Sequence, residues 1–282
     1  MTDLSRLTLA LPFLLASLSA GASGSKILAT GGATSIAGAA GGGIVPWAVI
    51  NGYGSSGQWS VTGYFSQVGV DDFTLNSKGI GFSYDNRYEV SVGRQQLQLD
   101  TMGGELNQQI IGLKYKVAGE LLYSKLPQIS VGVQLKKQLD FAIPSAVGAR
   151  DPHGTDLYLA ASKVWLDAFW GRNLLLNATV RATKGHQTGL LGFGTAGHDD
   201  YQYLGEFSAV VLLNPQWAVG AEFKQKPNEL AFAREDHWRD VFVAWFANKH
   251  LSLVAGHVDL GSIATFNNQT GYYLALESTW SF

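Results

Sequence analysis

From Gln58 onward the chain repeats one pattern: segments of about ten residues in which apolar and polar side chains alternate, separated by clusters of Gly, Asn, Asp and Pro. Alternation puts successive side chains on opposite faces of an extended strand. Each segment therefore reads as a β-strand with one apolar face. In Gln58–Val68, Trp59, Val61, Gly63 and Phe65 oppose Ser60, Thr62, Tyr64 and Ser66. Ile111, Leu113, Tyr115 and Val117 alternate with Gly112, Lys114 and Lys116, and Ile129, Val131, Val133 and Leu135 with Ser130, Gly132, Gln134 and Lys136. Trp217, Val219, Ala221 and Phe223 oppose Ala218, Gly220, Glu222 and Lys224. In the last segment Tyr272, Leu274, Leu276 and Trp280 oppose Tyr273, Ala275, Glu277, Thr279 and Ser281. Seven further segments bring the count to twelve. Two of them, near Val241–Ala247 and Leu251–Val258, are apolar on both faces, and there alternation assigns no polar side.

An apolar face on every strand suits a sheet closed on itself in lipid better than a soluble sandwich. The connections agree. Gly69–Asn76, Gln98–Asn107, Leu139–Gly154, Lys184–Asp200, Lys226–Asp236 and Leu260–Thr270 are longer, and they alternate with short turns such as Asn86, Leu213–Pro215 and Asn248–Lys249. Gly119–Pro127 is longer than this pattern prefers. Short periplasmic turns facing long outer loops mark bacterial outer-membrane barrels. The expected fold is all-β: a transmembrane up-and-down antiparallel β-barrel of about twelve strands, or fourteen in the alternative, with a Gly-rich N-terminal segment. The longest strictly apolar runs after Ser23 have seven residues, too few for a spanning helix.

The first 22 residues read as an export signal: Arg6, the apolar Leu7–Leu18, then Ala20-Gly21-Ala22 before Ser23. Domain boundaries follow at 1–22 for the signal peptide, 23–57 for the Gly-rich segment and 58–282 for the barrel. The expected location is the outer membrane, with its lipid and, during biogenesis, the barrel-assembly machinery as partners. Trp59, Trp165, Trp217, Trp245 and Trp280 fall near one rim, and Tyr201, Tyr203, Trp238 and Tyr272 near the other, as girdles at the headgroup level do. Trp280 and the terminal Phe282 look like the assembly signal of such barrels.

Ala29–Gly54 (ATGGATSIAGAAGGGIVPWAVINGYG) resembles the N-terminal signature of domain-of-unknown-function family 3034 of proteobacteria, most specifically over Gly31–Gly43 and Pro46-Trp47. The resemblance implies an exported outer-membrane barrel of unassigned activity, with no catalytic residues to carry over. Gly31–Gly57 holds nine glycines in 27 residues and no charge. It reads as a periplasmic leader, as a lumen plug centred on Gly41, Gly42, Gly43, Pro46 and Trp47, or as an extra strand pair that includes Trp47–Tyr53. The apolar IVPWAVI at 44–50 argues against a solvated linker.

Alternation turns Glu89, Lys114, Lys116, Lys136, Asp156, Arg181, Glu206, Glu222, Lys224 and Glu277 toward the interior. Lys114, Lys116 and Lys136 lie on neighbouring strands, and Glu206, Glu222 and Glu277 roughly across the ring. Two opposed charged walls in a narrow pore would orient polar solutes; alternatively the charges pair and fill the lumen. The expected function is a narrow porin-like channel for small polar solutes. The alternatives are a structural barrel with a filled lumen and a lipid-modifying rim enzyme that would need a pair such as His257 and Ser262. No enzyme activity, cofactor or metal is expected. With no cysteine and a net charge of −2, thiolate chemistry is excluded and nothing favours nucleic acid. Lys163 falls on the apolar face near a rim, where its stem could snorkel.

Overall fold

The computed structural model describes residues 26–230 and 234–282; residues 1–22, read from the sequence as an export signal, lie outside them. Twelve antiparallel strands form a closed barrel. They are β1 (Trp59–Val70), β2 (Phe73–Tyr84), β3 (Tyr88–Leu99), β4 (Glu105–Ala118), β5 (Gln128–Gln138), β6 (His153–Phe169), β7 (Arg172–Thr183), β8 (Gln202–Leu212), β9 (Trp217–Lys224), β10 (Trp238–Asn248), β11 (Leu251–Asp259) and β12 (Thr270–Ser281). Each pairs with its sequence neighbour, and β12 returns to β1 from Gly271 opposite Val70 to Ser281 opposite Ser60. The backbones of Phe282 and Trp59 exchange hydrogen bonds of 3.0 and 2.9 Å at the seam. Closure leaves no strand edge unpaired, which is what lets a sheet stand in hydrocarbon.

The alternation sets the two faces. Phe65, Val92, Ile111, Leu159, Phe207 and Leu274 point outward and are exposed, while Thr62, Gln134, Ser162, Thr179, Glu206 and Thr279 point inward and are buried. Toward the loop rim, away from the chain ends, this polarity inverts. Val68, Phe73, Leu75, Leu97, Leu99 and Leu106 face in and are buried, with Gln67, Thr74, Asn76 and Gln96 on the other face. The strands have left the apolar band there and behave as in a water-soluble protein. The inversion explains a departure from the sequence reading: Gly69–Asn76 is not a long loop. Both strands run through it, down to Gly69 opposite Thr74, and only Asp71 and Asp72 remain as the turn.

Trp59, Trp165, Trp217 and Trp280 are exposed at the turn rim, and Trp217 stacks with Trp245 at 6.1 Å. At the loop rim Tyr201, Tyr203 and Tyr272 are exposed, whereas Trp238 is buried. Its even position shares the inward face with Asp240 and Phe242, so it does not belong to the outer girdle. Lys163 does lie on the outward face. Its ammonium donates to the carbonyls of Leu122 (2.9 Å) and Ser124, holding the long 119–127 turn against the barrel end, where Leu121 is buried.

Residues 29–54 are buried almost without exception, inside the barrel. They form a small hairpin, Ala33–Thr34 against Ala40–Gly41. Trp47–Tyr53, a strand in the fourteen-strand alternative, forms no strand, because its backbone groups bond to wall side chains instead. The segment also accounts for the two strands apolar on both faces. Phe242, Ala244 and Phe246 of β10 and Val254 of β11 face inward and pack in one cluster with Ala29, Ala33, Ile44, Val45 and Trp47.

Candidate functional site

The inward charges of β3–β9 stand close enough to touch. Lys114 lies 3.4 Å from Glu89, directly opposite it on the neighbouring strand. Lys136 lies 2.7 Å from Asp156, Asp156 3.2 Å from Arg181, Arg181 2.6 Å from Glu206, and Glu206 3.6 Å from Lys224. This ladder of alternating sign crosses five strands, and all its members are buried. Arg181 makes it continuous, since its planar fork reaches Glu206 through Nε and Asp156 and Gln134 through Nη1. Lys116 turns to the rim and pairs with Glu120 at 3.0 Å. The expected opposed walls therefore do not exist. Separated charges across a low-dielectric lumen would each bear a desolvation cost that contact on adjacent strands offsets.

The remaining wall groups bind the N-terminal segment. Lys114 Nζ donates to the carbonyls of Ala40 and Val49 at 2.8 and 2.9 Å. Glu89 accepts from the amides of Ala40 and Asn51 at 3.0 and 2.8 Å. Glu222 accepts from the amides of Ile44 and Val45, from the Trp47 indole at 3.1 Å and from Ser208 at 2.6 Å. Lys224 donates to the Ile44 carbonyl at 3.1 Å. Half-buried Glu277 accepts from the Thr34 hydroxyl at 2.5 Å. Neutral wall groups continue the pattern: Gln128 and Ser130 donate to the Ala48 carbonyl, and Thr179 to that of Pro46. A segment with no charge over 31–57 and only one short hairpin meets most of its backbone needs here through wall side chains, charged ones foremost.

The glycines make the approach close enough. A Cβ on Gly42 would lie 2.1 Å from Glu222 Oε1, and one on Gly43 would lie 3.0 Å from both Asp240 Oδ2 and Tyr273 Cε1. Of the sequence-derived plug residues, Gly41, Gly42, Gly43 and Trp47 line one small void with Leu175, Val210, Ala218, Phe242, Ala244, Phe246 and Val254. Pro46 sits beside them, its carbonyl bound by Thr179. Asp240 was not legible in the sequence. It lies on β10, where alternation assigns no polar face, and only its position two residues from Trp238 and opposite Glu222 reveals its direction.

At the loop rim residues 184–195 fold inward, with His186, Gln187, Leu190, Leu191 and Phe193 buried. Lys136 and Gln138 donate to the carbonyls of Thr188 and Leu190 at 2.8 and 2.7 Å. The Gln187 amide donates to both carboxylate oxygens of Glu235 at 3.0 Å. Lys226 Nζ donates to Gln187 Oε1 at 2.6 Å and lies 4.8 Å from the Trp238 ring centroid. His186 Nδ1 lies 3.7 Å from Glu235. Burial dominates this trio: it pushes Glu235 up to about 7, His186 down to about 4 and Lys226 down to about 8.

His257 and Ser262 are not brought together for catalysis. His257 is exposed on the outward face, and the buried Ser262 hydroxyl donates to Asn267 at 3.0 Å. Among the described residues no group of three or more His, Asp or Glu side chains is arranged to hold a metal ion. Trp280 points to the outer face near the seam, and Phe282 lies exposed at the turn rim.

Comparison with known proteins bears on the family and the fold. A family model described as "Protein of unknown function (DUF3034)" matches residues 30–277. No curated protein matches the chain. Among solved structures, the KdgM porin superposes with a TM-score of 0.50 at 12% identity, covering 78% of this chain and 99% of the porin. The NanC porin gives 0.46 at 11% identity over 78% and 98%, and Omp33 of Acinetobacter baumannii gives 0.44 at 12% over 80% and 98%. The first of these places the chain in the porin-like barrel fold.

Proposed function

The chain belongs to the DUF3034 family, and on that premise we propose that it is an outer-membrane channel of narrow bore for small polar solutes, held shut in this structure by its own residues 26–57. The turn rim, where β1 begins at Trp59 and the chain ends at Phe282, faces the periplasm; the loop rim faces outward. The observation that carries this reading is the bonding of Glu89, Lys114, Glu222, Lys224 and Glu277 to the segment. Charged side chains that would line an aqueous pore bind a separable stretch of the same chain, which enters from the end where the chain begins. The first barrel strand starts only at Trp59, so the sheet does not depend on the segment for any strand.

A second reading is favoured by the charge ladder. Lys136, Asp156, Arg181, Glu206 and Lys224 satisfy one another, and a lumen whose groups are mutually compensated suits a closed structural barrel. Ion conductance across planar bilayers separates the two. The full chain should conduct little, and deletion of residues 26–57 should open steady conductance while the protein keeps the heat-modifiable gel migration of a closed barrel. A folded deletion variant that stays silent would favour the structural barrel.

A further inference from the structure

Among the lumen-facing carboxylates of the described residues, Asp240 stands apart. Glu89, Asp156, Glu206, Glu222 and Glu277 each accept hydrogen bonds from the wall or the segment. Asp240 is 4% exposed, and no side-chain donor pairs with its oxygens, the Glu222 backbone N–H lying near without a well-formed hydrogen bond. The hydroxyl of Tyr273, fully buried, has the Ser66 hydroxyl beside it but no well-formed hydrogen bond. The two converge: Asp240 Oδ2 and Tyr273 Cε1 both stand 3.0 Å from the point a Cβ on Gly43 would take. Glu222 lies directly across from Asp240 in the β9–β10 register. The nearby cations are committed elsewhere, Arg181 and Lys224 to Glu206.

Toward the turn rim from this acidic pair the inner wall is apolar, formed by Val210, Ala218, Phe242, Ala244, Phe246 and Val254. The segment occupies both parts at once. The amides of Ile44 and Val45 and the indole N–H of Trp47 serve Glu222, and the Trp47 ring lines the void along the apolar strip. What the wall holds is thus an aromatic body with N–H donors at one end. It supplies no positive charge, and Asp240 is left over.

We propose that this side of the lumen is a binding site for a compact aromatic ammonium cation, which takes the place of Trp47 and the adjoining amides; as the solute class of the channel, this rests on the channel reading. An ammonium group carries three donors and a full charge, matching Glu222, Asp240 and the Tyr273 oxygen, and the aromatic body lies on Phe242, Ala244 and Val254. The void beside Trp47 is only about 20 Å³, so the indole must leave before such a ligand enters.

The test uses the full chain, folded in detergent, with Trp47→Ala to vacate the strip, titrated by calorimetry with phenethylammonium chloride and with its neutral counterpart 2-phenylethanol. The ammonium should bind about tenfold tighter than the alcohol, the difference expected of one charge-assisted contact. Adding Asp240→Asn should erase that preference. Equal affinities, or a preference that survives Asp240→Asn, would overturn the site. If Trp47→Ala does not fold, Trp47→Leu, which shortens the side chain but keeps it apolar, is melted with each compound. A rise in the midpoint with the ammonium alone, lost in Asp240→Asn, supports the site; an equal rise with both, or none with either, overturns it. Binding without conductance in any variant would sink the channel reading alone, and conductance after deletion of 26–57 with no ammonium preference would sink this site alone.

Discussion

Residues 29–54 and residues 184–195 both lie within the barrel, one reaching in from the turn rim and the other from the loop rim, but they are held in different currencies. The N-terminal segment carries no titratable side chain except the buried Tyr53, and its backbone is bound by wall side chains that are themselves fixed in sheet register. The loop is also bound by two wall side chains, Lys136 and Gln138, but it rests in addition on Glu235 and Lys226 with His186 buried beside them, and it includes two adjacent non-glycine residues with left-handed backbone, Gln187 (φ 45°) and Thr188 (φ 60°), where the segment has Ala29 alone (φ 69°). Closure from the turn side should therefore be set by the integrity of the wall, and closure from the loop side by proton balance and backbone strain. Three experiments probe that division.

The largest effect should come from Arg181→Met. It removes the link of the ladder and leaves Asp156 and Glu206 buried with one cation each, Lys136 and Lys224. Breaking a buried ion network in this way costs about 3–5 kcal/mol. The midpoint of thermal unfolding in detergent should fall sharply. Lys224 also holds the Ile44 carbonyl and Lys136 that of Thr188, but the loop keeps Glu235 and Lys226 outside the ladder, so protease should gain access to residues 40–47 before it reaches 184–195. If the loop is cut first, the two closures are not independent.

A smaller effect, and one confined to the loop, should follow from pH. Glu235 rises from its ordinary 4.5 to about 7, so the closed loop binds more protons than the open one between those values. Closure is then strongest below 4.5 and weakens as pH climbs to 7. His186 falls from 6.5 to about 4, so its contribution is fully present above 6.5 and is lost as pH drops toward 4. The slopes oppose each other, at about 1.4 kcal/mol per pH unit for each group, and should nearly cancel between 4.5 and 6.5. Hydrogen exchange of residues 186–191, corrected for intrinsic rate, should be flat across that window in the unsubstituted protein. In Glu235→Gln protection should increase with pH, and in His186→Gln it should decrease. Residues 40–50 touch neither Glu235 nor His186, so neither substitution should change the exchange profile there, and a matching change in that stretch would erase the distinction.

Most of the barrel is legible from side-chain period alone, because lipid outside and polar groups inside impose opposite preferences on alternate residues. The reading fails where that contrast vanishes. At the loop rim the polarity inverts, which hid the pairing of Phe73, Thr74 and Leu75 with Leu97, Gln98 and Leu99. On β10 and β11 the lumen is lined for an apolar segment, so both faces look alike and Asp240 and Trp238 were not assigned inward. The inward direction of Lys114, Arg181 and Glu222 could be read from the sequence, but not their partners. Contact between Arg181 and Glu206 depends on strand register and side-chain reach, and the bonds from Glu222 to Ile44, Val45 and Trp47 span more than 170 positions of sequence.

The smallest expected effect bears on strain. Thr188 is β-branched, yet its backbone has φ 60° and ψ 18°, a region such residues avoid at a cost of roughly 1–3 kcal/mol. Its hydroxyl is buried without a partner, while its carbonyl is bound by Lys136. Thr188→Gly relieves the backbone and removes the orphan hydroxyl but keeps the carbonyl. Against this stands the greater freedom of glycine in the open loop, roughly 0.5–1 kcal/mol. At the middle of both ranges the balance favours closure by about 1 kcal/mol, which would appear as slower exchange of residues 186–191. The same change on the other closure has the opposite sign. Thr34→Gly removes the hydroxyl that serves Glu277 and relieves no strain, since Thr34 lies in an extended hairpin strand; it should loosen the segment by about 1–2 kcal/mol. Should Thr188→Gly loosen the loop as Thr34→Gly loosens the segment, strain is not what separates the two ends.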